Sequence, residues 1–187
     1  MPADGSKVEI TLHEQNGTYW ITDVKPAVGT KTVMHSAARW IAWSATVFAL
    51  HFVWEMVQAS WFASMQALPF WTATALCFRA AGGDLALTVV AFAIAGLVAR
   101  SASWPLRARV APAGAAFLLV GLAITIGYEM YALETGRWRY DERMPTILGI
   151  GLTPLLQWTI LPLLEIGLFR MIWRQGSRDN PTTEPMV

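Results

Sequence analysis

Four long apolar stretches constrain this chain more than any other feature of its sequence. They cover residues 40–59, 85–99, 111–133 and 147–169. A helix needs roughly 20 residues to cross the hydrocarbon core of a bilayer, and the second stretch reaches that length if it starts near Cys77. The sequence therefore predicts an all-α polytopic membrane protein, a bundle of four transmembrane helices.

The composition agrees with a lipid environment and excludes several other classes. Charged residues are 14% of the 187 residues, against roughly 25% in a typical soluble domain. The formal net charge of +1 gives no electrostatic basis for a nucleic-acid partner, and none is expected. Cys77 is the single cysteine, which excludes an internal disulfide and any multi-cysteine metal site.

Polar segments flank the apolar region. Residues 1–38 form an arm in which apolar and polar residues alternate over 8–12, and Asn16-Gly17 supplies a tight turn. This pattern predicts a short β-hairpin, docked on the membrane domain or on a partner. Residues 39–174 are predicted to form the transmembrane domain, and residues 175–187 a disordered tail.

The connections between the predicted helices carry their own signals. Residues 60–83 are rich in Trp, Phe and Ala, with Pro69 as a break, and are predicted to lie flat at the membrane surface. Asp84 would then open the second helix, directly after Gly82-Gly83. Residues 134–145 could fold over the end of the bundle as a lid.

The distribution of Lys and Arg predicts the orientation in the membrane. Four arginines fall in the first and third connections, namely Arg79, Arg137, Arg139 and Arg143. The other ten basic residues fall in the arm, the second connection and the tail, and they are Lys7, Lys25, Lys31, Arg39, Arg100, Arg107, Arg109, Arg170, Arg174 and Arg178. Both termini are therefore predicted to be cytoplasmic, in an inner membrane.

Polar residues inside the predicted spans point to a site, because ionisable groups are expensive in hydrocarbon and usually face the interior of a bundle. His51, Glu55 and Gln58 share one helical face. The predicted topology brings further polar residues to the same depth, in the outer half of the bundle. The residues expected to contact a substrate there are His51, Gln58, Asp84, Tyr128, Trp138 and Gln157.

Glu55 and Glu129 are the predicted catalytic residues. A carboxyl group in a dehydrated, apolar site can donate a proton, and two neighbouring carboxyl groups can act as acid and base in one turnover. The alternative is that both residues only fix helix packing through hydrogen bonds. His51, Glu55, Asp84 and Glu129 could also hold Fe, Mn or Zn. Di-iron bundles, however, use paired Glu-x-x-His elements, so no metal and no cofactor is expected.

Other charged groups have two interpretations. The arginines of the first and third connections could bind a lipid phosphate or carboxylate, or could form an ion-paired lid with Glu134, Asp141 and Glu142. Glu165 is predicted to extend its side chain to the membrane interface near Arg170, with no functional role.

The segment His51-Phe-Val-Trp-Glu-Met-Val-Gln58 places a Trp-Glu pair inside a transmembrane helix. It resembles the Trp-Glu element of the small integral-membrane terpene cyclases, which protonate an isoprenoid epoxide in terpenoid pathways. The resemblance covers these eight residues and implies that Glu55 handles the proton, although members of that family have seven spans. The spacing of His51 and Glu55 also resembles that of sterol-isomerase-like membrane proteins.

These observations predict a membrane enzyme that performs proton-transfer chemistry, such as cyclisation or isomerisation, on an apolar isoprenoid or lipid. The alternative is a non-catalytic subunit of a larger membrane complex, with a membrane protein as its partner. A third interpretation is a conductor of protons or small solutes that uses the same carboxyl groups.

Overall fold

The computed structural model describes residues 8–15, 17–26 and 28–178. The described chain consists mainly of α-helices, as the sequence predicts. The helices are α1 (Val28–Gln58), α2 (Ala63–Gln66), α3 (Phe70–Ala99), α4 (Ala111–Glu134) and α5 (Leu152–Arg178). The strands are β1 (Val8–Gln15), β2 (Thr18–Pro26), β3 (Thr146–Ile147) and β4 (Ile150–Gly151).

Within the described ranges, four helical segments are long and apolar enough to cross a bilayer. They are Ser36–Trp61, Phe70–Ala99, Ala111–Glu134 and Leu152–Arg174. Each exceeds the roughly 20 residues that the hydrocarbon core demands. The chain is therefore an integral membrane protein, and its fold is an all-α four-helix membrane bundle preceded by a short hairpin.

The chain divides into two compact units, Met1–Ala42 and Trp43–Val187. In the first unit, β1 and β2 pair antiparallel from Val8↔Pro26 to Gln15↔Thr18. Gly17 has a φ of 74°, which suits the tight turn between the strands. The predicted hairpin is confirmed.

The start of the second transmembrane helix was predicted too late. Helix α3 begins after Pro69 and runs without interruption from Phe70 to Ala99. The predicted surface helix over 60–83 is therefore wrong for its second half, and Asp84 lies in the middle of α3 rather than at its start. No atom lies within 4 Å of a Cβ built on Gly82 or Gly83, so these glycines create no close approach between the described helices.

The fourth transmembrane helix starts later than predicted. Residues 146–151 form a two-strand turn, β3–β4, in which Gly149 has a φ of 83°. Helix α5 then begins at Leu152 and continues to Arg178, so the predicted disordered tail is wrong for residues 175–178. The remainder of the predicted tail lies outside the described residues.

A cluster of aromatic rings fills the bundle near the connection between α3 and α4. Trp43, Phe92, Phe117 and Phe169 are buried there. Trp104, from the connection itself, is also fully buried, and its ring centroid lies 5.2 Å from that of Phe92. Tryptophans near the ends of predicted spans, such as Trp43 and Trp104, are expected at the membrane interfaces. This expectation is wrong for both residues, because they belong to the core.

Helices α4 and α5 approach closely at one glycine. A Cβ built on Gly121 would overlap the ring of Trp158, which is itself buried. The missing side chain at Gly121 makes room for this indole, and the small residue allows the two helices to pack closely. The contact fixes the part of α5 that also carries Gln157.

Candidate functional site

A cavity of about 770 Å³ lies in the half of the bundle near the first and third connections. Its size falls in the range of roughly 300–1,000 Å³ that is typical of small-molecule sites. Seven of the eight predicted site residues line it, namely Glu55, Gln58, Asp84, Tyr128, Glu129, Trp138 and Gln157. His51 is fully buried and does not line the cavity, but it contacts the lining residue Gln157.

The cavity opens along the flank of α3 and α4. Its lining residues Arg79, Gly83 and Tyr128 are exposed on that flank. At its inner end, Gln157 is 3% exposed and Trp158 is 1% exposed. The cavity therefore leads from the surface of the bundle to a buried polar cluster.

Gln157 connects three helices within that cluster. Its Nε2 lies 2.8 Å from Asp84 Oδ2 on α3 and 3.0 Å from His51 Nδ1 on α1. It also lies 3.4 Å from Glu55 Oε1. The amide group of Gln157 thus brings together polar residues of three helices. The sequence analysis places these residues at the same depth in the bundle.

Helix α1 contributes a short chain of hydrogen bonds along one face. Gln58 Nε2 donates to Glu55 Oε1 at 2.6 Å and to Gln157 Oε1 at 3.3 Å. Trp54 Nε1 donates to Gln58 Oε1 at 3.2 Å. Glu55 is therefore held on one carboxyl oxygen by two amide groups while it lines the cavity.

Glu165 is the residue that the sequence analysis missed. Its side chain is fully buried, and its Oε1 lies 2.8 Å from His51 Nε2, so the predicted extension to the interface is wrong. Because Gln157 donates to Nδ1, the ring proton belongs on Nε2, which then donates to Glu165. Thr88 Oγ1 lies 3.3 Å from the same nitrogen. The presence of an acidic residue within an apolar span was the signal that could have indicated a buried, paired Glu165.

Glu129 enters the cavity from α4 and has separate partners. Its Oε2 accepts hydrogen bonds from the hydroxyl of Tyr140 at 2.5 Å and from Trp138 Nε1 at 3.2 Å. A Cβ built on Gly151 would lie 3.1 Å from the ring of Tyr140, so a larger residue at this position would require the ring to shift slightly. Glu55 and Glu129 therefore share one cavity but are held by different networks.

Tyr140 lies outside the membrane spans. Burial, followed by the contact with Glu129, raises the pKa of its phenol well above the ordinary value. The neutral phenol is thus retained at all ordinary pH values, and it remains a hydrogen-bond donor to Glu129. Sequence analysis did not single out Tyr140, because no local pattern indicates its partner.

The first and third connections join above the cavity. Ala63 N donates to Arg139 O at 3.0 Å, and Asp141 N donates to Trp61 O at 2.9 Å. Arg143 Nε donates to Asp141 Oδ1 at 2.6 Å, and this pairing, together with a hydrogen bond from Gln66, lowers the pKa of Asp141 to about 2. The loop over 134–145 is therefore attached to the first connection, and its Arg137 and Trp138 line the cavity.

Within the described part of the chain, no group of three or more His, Cys, Asp or Glu side chains could hold a metal ion. Although His51, Glu55 and Asp84 are neighbours, Gln157 occupies the space between them with its amide group.

The fold and the cavity define a class of protein: a polytopic helical membrane protein with a polar cluster at the inner end of an intramembrane cavity. No protein family, curated protein or solved structure matches this chain.

Proposed function

We propose that this protein is a membrane enzyme that performs acid–base chemistry on an isoprenoid or other lipid in the cavity. One observation carries the proposal: two carboxyl groups, Glu55 and Glu129, line a single cavity whose other lining residues are largely apolar. An apolar cavity accepts a hydrocarbon chain, and carboxyl groups in it supply a proton donor and a proton acceptor.

The two carboxyl groups have different surroundings, which favours different roles. Glu55 is a neighbour of Asp84, since the amide nitrogen of Gln157 lies 3.4 Å from Glu55 Oε1 and 2.8 Å from Asp84 Oδ2. Glu129 receives two hydrogen bonds, from Tyr140 and Trp138, which suit a carboxylate. We therefore propose Glu55 as the proton donor and Glu129 as the acceptor. The resemblance of Trp54-Glu55 to the Trp-Glu element of membrane terpene cyclases supports the same role for Glu55.

Paired amide substitutions test the proposal. Product formation by the purified protein in lipid nanodiscs is measured with a panel of isoprenoid epoxides and polyprenyl lipids. Glu55→Gln keeps the oxygen that accepts from Gln58 and removes the exchangeable proton. We expect a folded protein whose turnover is lower by at least roughly 100-fold, the usual contribution of a positioned acid or base.

Glu129→Gln is expected to lower turnover by a similar factor. Glu134→Gln is the matched control, because Glu134 ends α4 at an exposed position outside the cavity lining. Full activity of both Glu55→Gln and Glu129→Gln would end the acid–base proposal.

A second candidate function rests on the hairpin. The paired residues Ile10, Leu12, Ile21 and Val24 lie on one face, and each is at least 48% exposed. An apolar face of this kind suits docking on a protein partner, as expected of a subunit of a larger membrane complex. Purification in mild detergent separates the two candidates. A stable monomer with bound lipid favours the enzyme, and stability that depends on a co-purifying protein favours the subunit.

A further inference from the structure

We infer that the ligand of the cavity is an amphiphile with an anionic headgroup, a phosphate or a carboxylate, bound by Arg79 and Arg137. The apolar chain of this ligand extends into the cavity towards Glu55. This ligand class specifies the substrate of the proposed function. It rests on that function only for the premise that the cavity binds a ligand.

Arg79 is a cation inside a transmembrane helix. It lines the cavity from α3, and within the described ranges it has no acidic partner. At ~1.5 Å per residue, α3 is ~45 Å long against ~30 Å of hydrocarbon, so an α3 centred on the bilayer and perpendicular to it places Arg79 ~6 Å inside the hydrocarbon boundary. A charge at this depth is costly and normally has a counter-charge. The exposed guanidinium of Arg79 at the cavity opening is placed to receive that counter-charge from a ligand.

Arg137 lines the same cavity from the connection that follows α4. Its Nη1 donates to the hydroxyl of Tyr128 at 3.2 Å, and its guanidinium lies 5.2 Å from the centre of the Tyr131 ring. Both contacts orient the guanidinium and neither neutralises it. Arg137 therefore keeps its full positive charge at the cavity.

The ion pairs of the structure distinguish among the arginines of these connections. The ion-paired lid is limited to Arg143 and Asp141, and neither residue lines the cavity. Across the part of the chain that the structure describes, Arg79 and Arg137 have no such partner. The two arginines that line the cavity are therefore available to bind an anion.

Arg79 and Asp84 occupy different depths on α3, so a headgroup at Arg79 need not meet that carboxyl group. Arg79 precedes Asp84 by five residues on α3, which separates them by ~7.5 Å along the axis. Gln157, at the inner end, is 3% exposed, whereas Arg79 and Arg137 are exposed. A headgroup at Arg79 thus leaves its chain to extend towards Asp84 and the buried Gln157.

Thr125 provides an independent indication that the cavity receives a polar ligand. This residue lines the cavity from α4 and is 8% exposed. Its Oγ1 is buried and has no hydrogen-bond partner among the described residues. An unpaired buried hydroxyl is destabilising, and a polar atom of a ligand in the cavity would give it a partner.

Direct binding measurements test the inference without requiring turnover. Farnesyl phosphate, farnesol and inorganic phosphate are titrated against the purified protein in phosphatidylcholine nanodiscs. Tryptophan fluorescence is the readout, because Trp138 and Trp158 line the cavity. We expect farnesyl phosphate to bind at least tenfold more tightly than farnesol, and inorganic phosphate to bind at least tenfold more weakly than farnesyl phosphate.

The variants Arg79→Gln and Arg137→Gln should each weaken farnesyl phosphate binding at least tenfold and leave farnesol binding unchanged. Arg139→Gln is the matched control, because Arg139 is exposed in the same connection and does not line the cavity. All three arginines are exposed, so the variants should fold, and thermal unfolding checks this.

Equal binding of farnesol and farnesyl phosphate would overturn the inference. So would wild-type binding in both cavity variants, as expected if the arginines only extend to the interface, or an equal loss in Arg139→Gln. Inorganic phosphate binding as tightly as farnesyl phosphate would also overturn it, since the site would then take a free ion.

Replacement of phosphatidylcholine by phosphatidylglycerol identifies the source of the headgroup. If phosphatidylglycerol competes with farnesyl phosphate, the result supports an anionic amphiphile and assigns it to bulk lipid. If phosphatidylglycerol does not compete, the result supports a dedicated substrate. Glu55→Gln should bind farnesyl phosphate normally. Normal farnesyl phosphate binding together with unchanged turnover in Glu55→Gln and Glu129→Gln would contradict the proposed function. It would leave the inference about the anionic ligand intact.

Discussion

The amide nitrogen of Gln157 has two N–H groups but lies near three acceptors, His51 Nδ1, Asp84 Oδ2 and Glu55 Oε1. The contact with Glu55, at 3.4 Å, is the longest of the three. The two N–H groups therefore donate to Asp84 and His51, and Glu55 accepts its hydrogen bond mainly from Gln58. A proton can consequently leave or reach Glu55 with less disturbance of the network than at Asp84.

Glu165 should contribute to stability through its buried contact with His51. Glu165→Leu leaves the Nε2–H of a fully buried imidazole without its carboxyl acceptor. We expect this variant to lose about 1–3 kcal/mol in the free energy of unfolding. Glu165→Gln keeps an oxygen acceptor and should lose less than about 1 kcal/mol. Denaturant titration of the detergent-solubilised protein measures both values, and wild-type stability of Glu165→Leu would show that the contact contributes nothing.

Part of the candidate site follows from local sequence and part does not. The shared face of His51, Glu55 and Gln58 is a consequence of helical periodicity, so it could be predicted. The pairing of His51 with Glu165 joins residues 114 positions apart. It depends on the rotation of α5 about its own axis, which hydropathy does not define.

At the scale of secondary structure elements, the contact between α4 and α5 depends on Gly121. Gly121→Ala places a methyl group against the buried ring of Trp158. We expect a loss of about 1–3 kcal/mol in the free energy of unfolding, the usual cost of overpacking. Gly127→Ala is the control on the same helix, because no atom lies within 4 Å of its Cβ. Equal stability of the two variants would contradict the close contact.

The limits of the helices were harder to predict than their number. Residues 70–84 include Arg79, two glycines and Asp84, which lower the local hydropathy enough to suggest a surface segment. In the structure they are continuous with α3, because the polar side chains of Arg79 and Asp84 face a cavity rather than lipid. Polar residues that line a cavity thus lower the hydropathy of part of a membrane helix until it resembles a connection.

At the scale of the whole molecule, the orientation in the membrane is a prediction from charge. Because Arg79 lies within α3, the connections 59–69 and 135–151 hold only Arg137, Arg139 and Arg143, against ten basic residues on the other side, which predicts that these connections face outwards. A membrane-impermeant thiol reagent should label Thr135→Cys in intact cells, in a Cys77→Ala background. It should not label Ser103→Cys, which belongs to the connection between α3 and α4. Labelling of Ser103→Cys alone would reverse the topology.

The overall architecture could be predicted because one physical requirement dominates it: every backbone polar group in hydrocarbon must be paired within a helix. Length and hydropathy therefore define the four helices. The third connection is different, since the placement of Tyr140 against Glu129 depends on contacts between loops. Such contacts have no periodic signature in the sequence.

The opening of the cavity along the flank of α3 and α4 has a kinetic consequence. An occupant that enters through this flank arrives by two-dimensional diffusion within the bilayer. Its effective concentration is then its mole fraction in the membrane, whatever the volume of water around the vesicles. Dilution of the membrane with inert lipid would slow the occupancy of such a site, whereas dilution of the whole suspension with buffer would leave it unchanged.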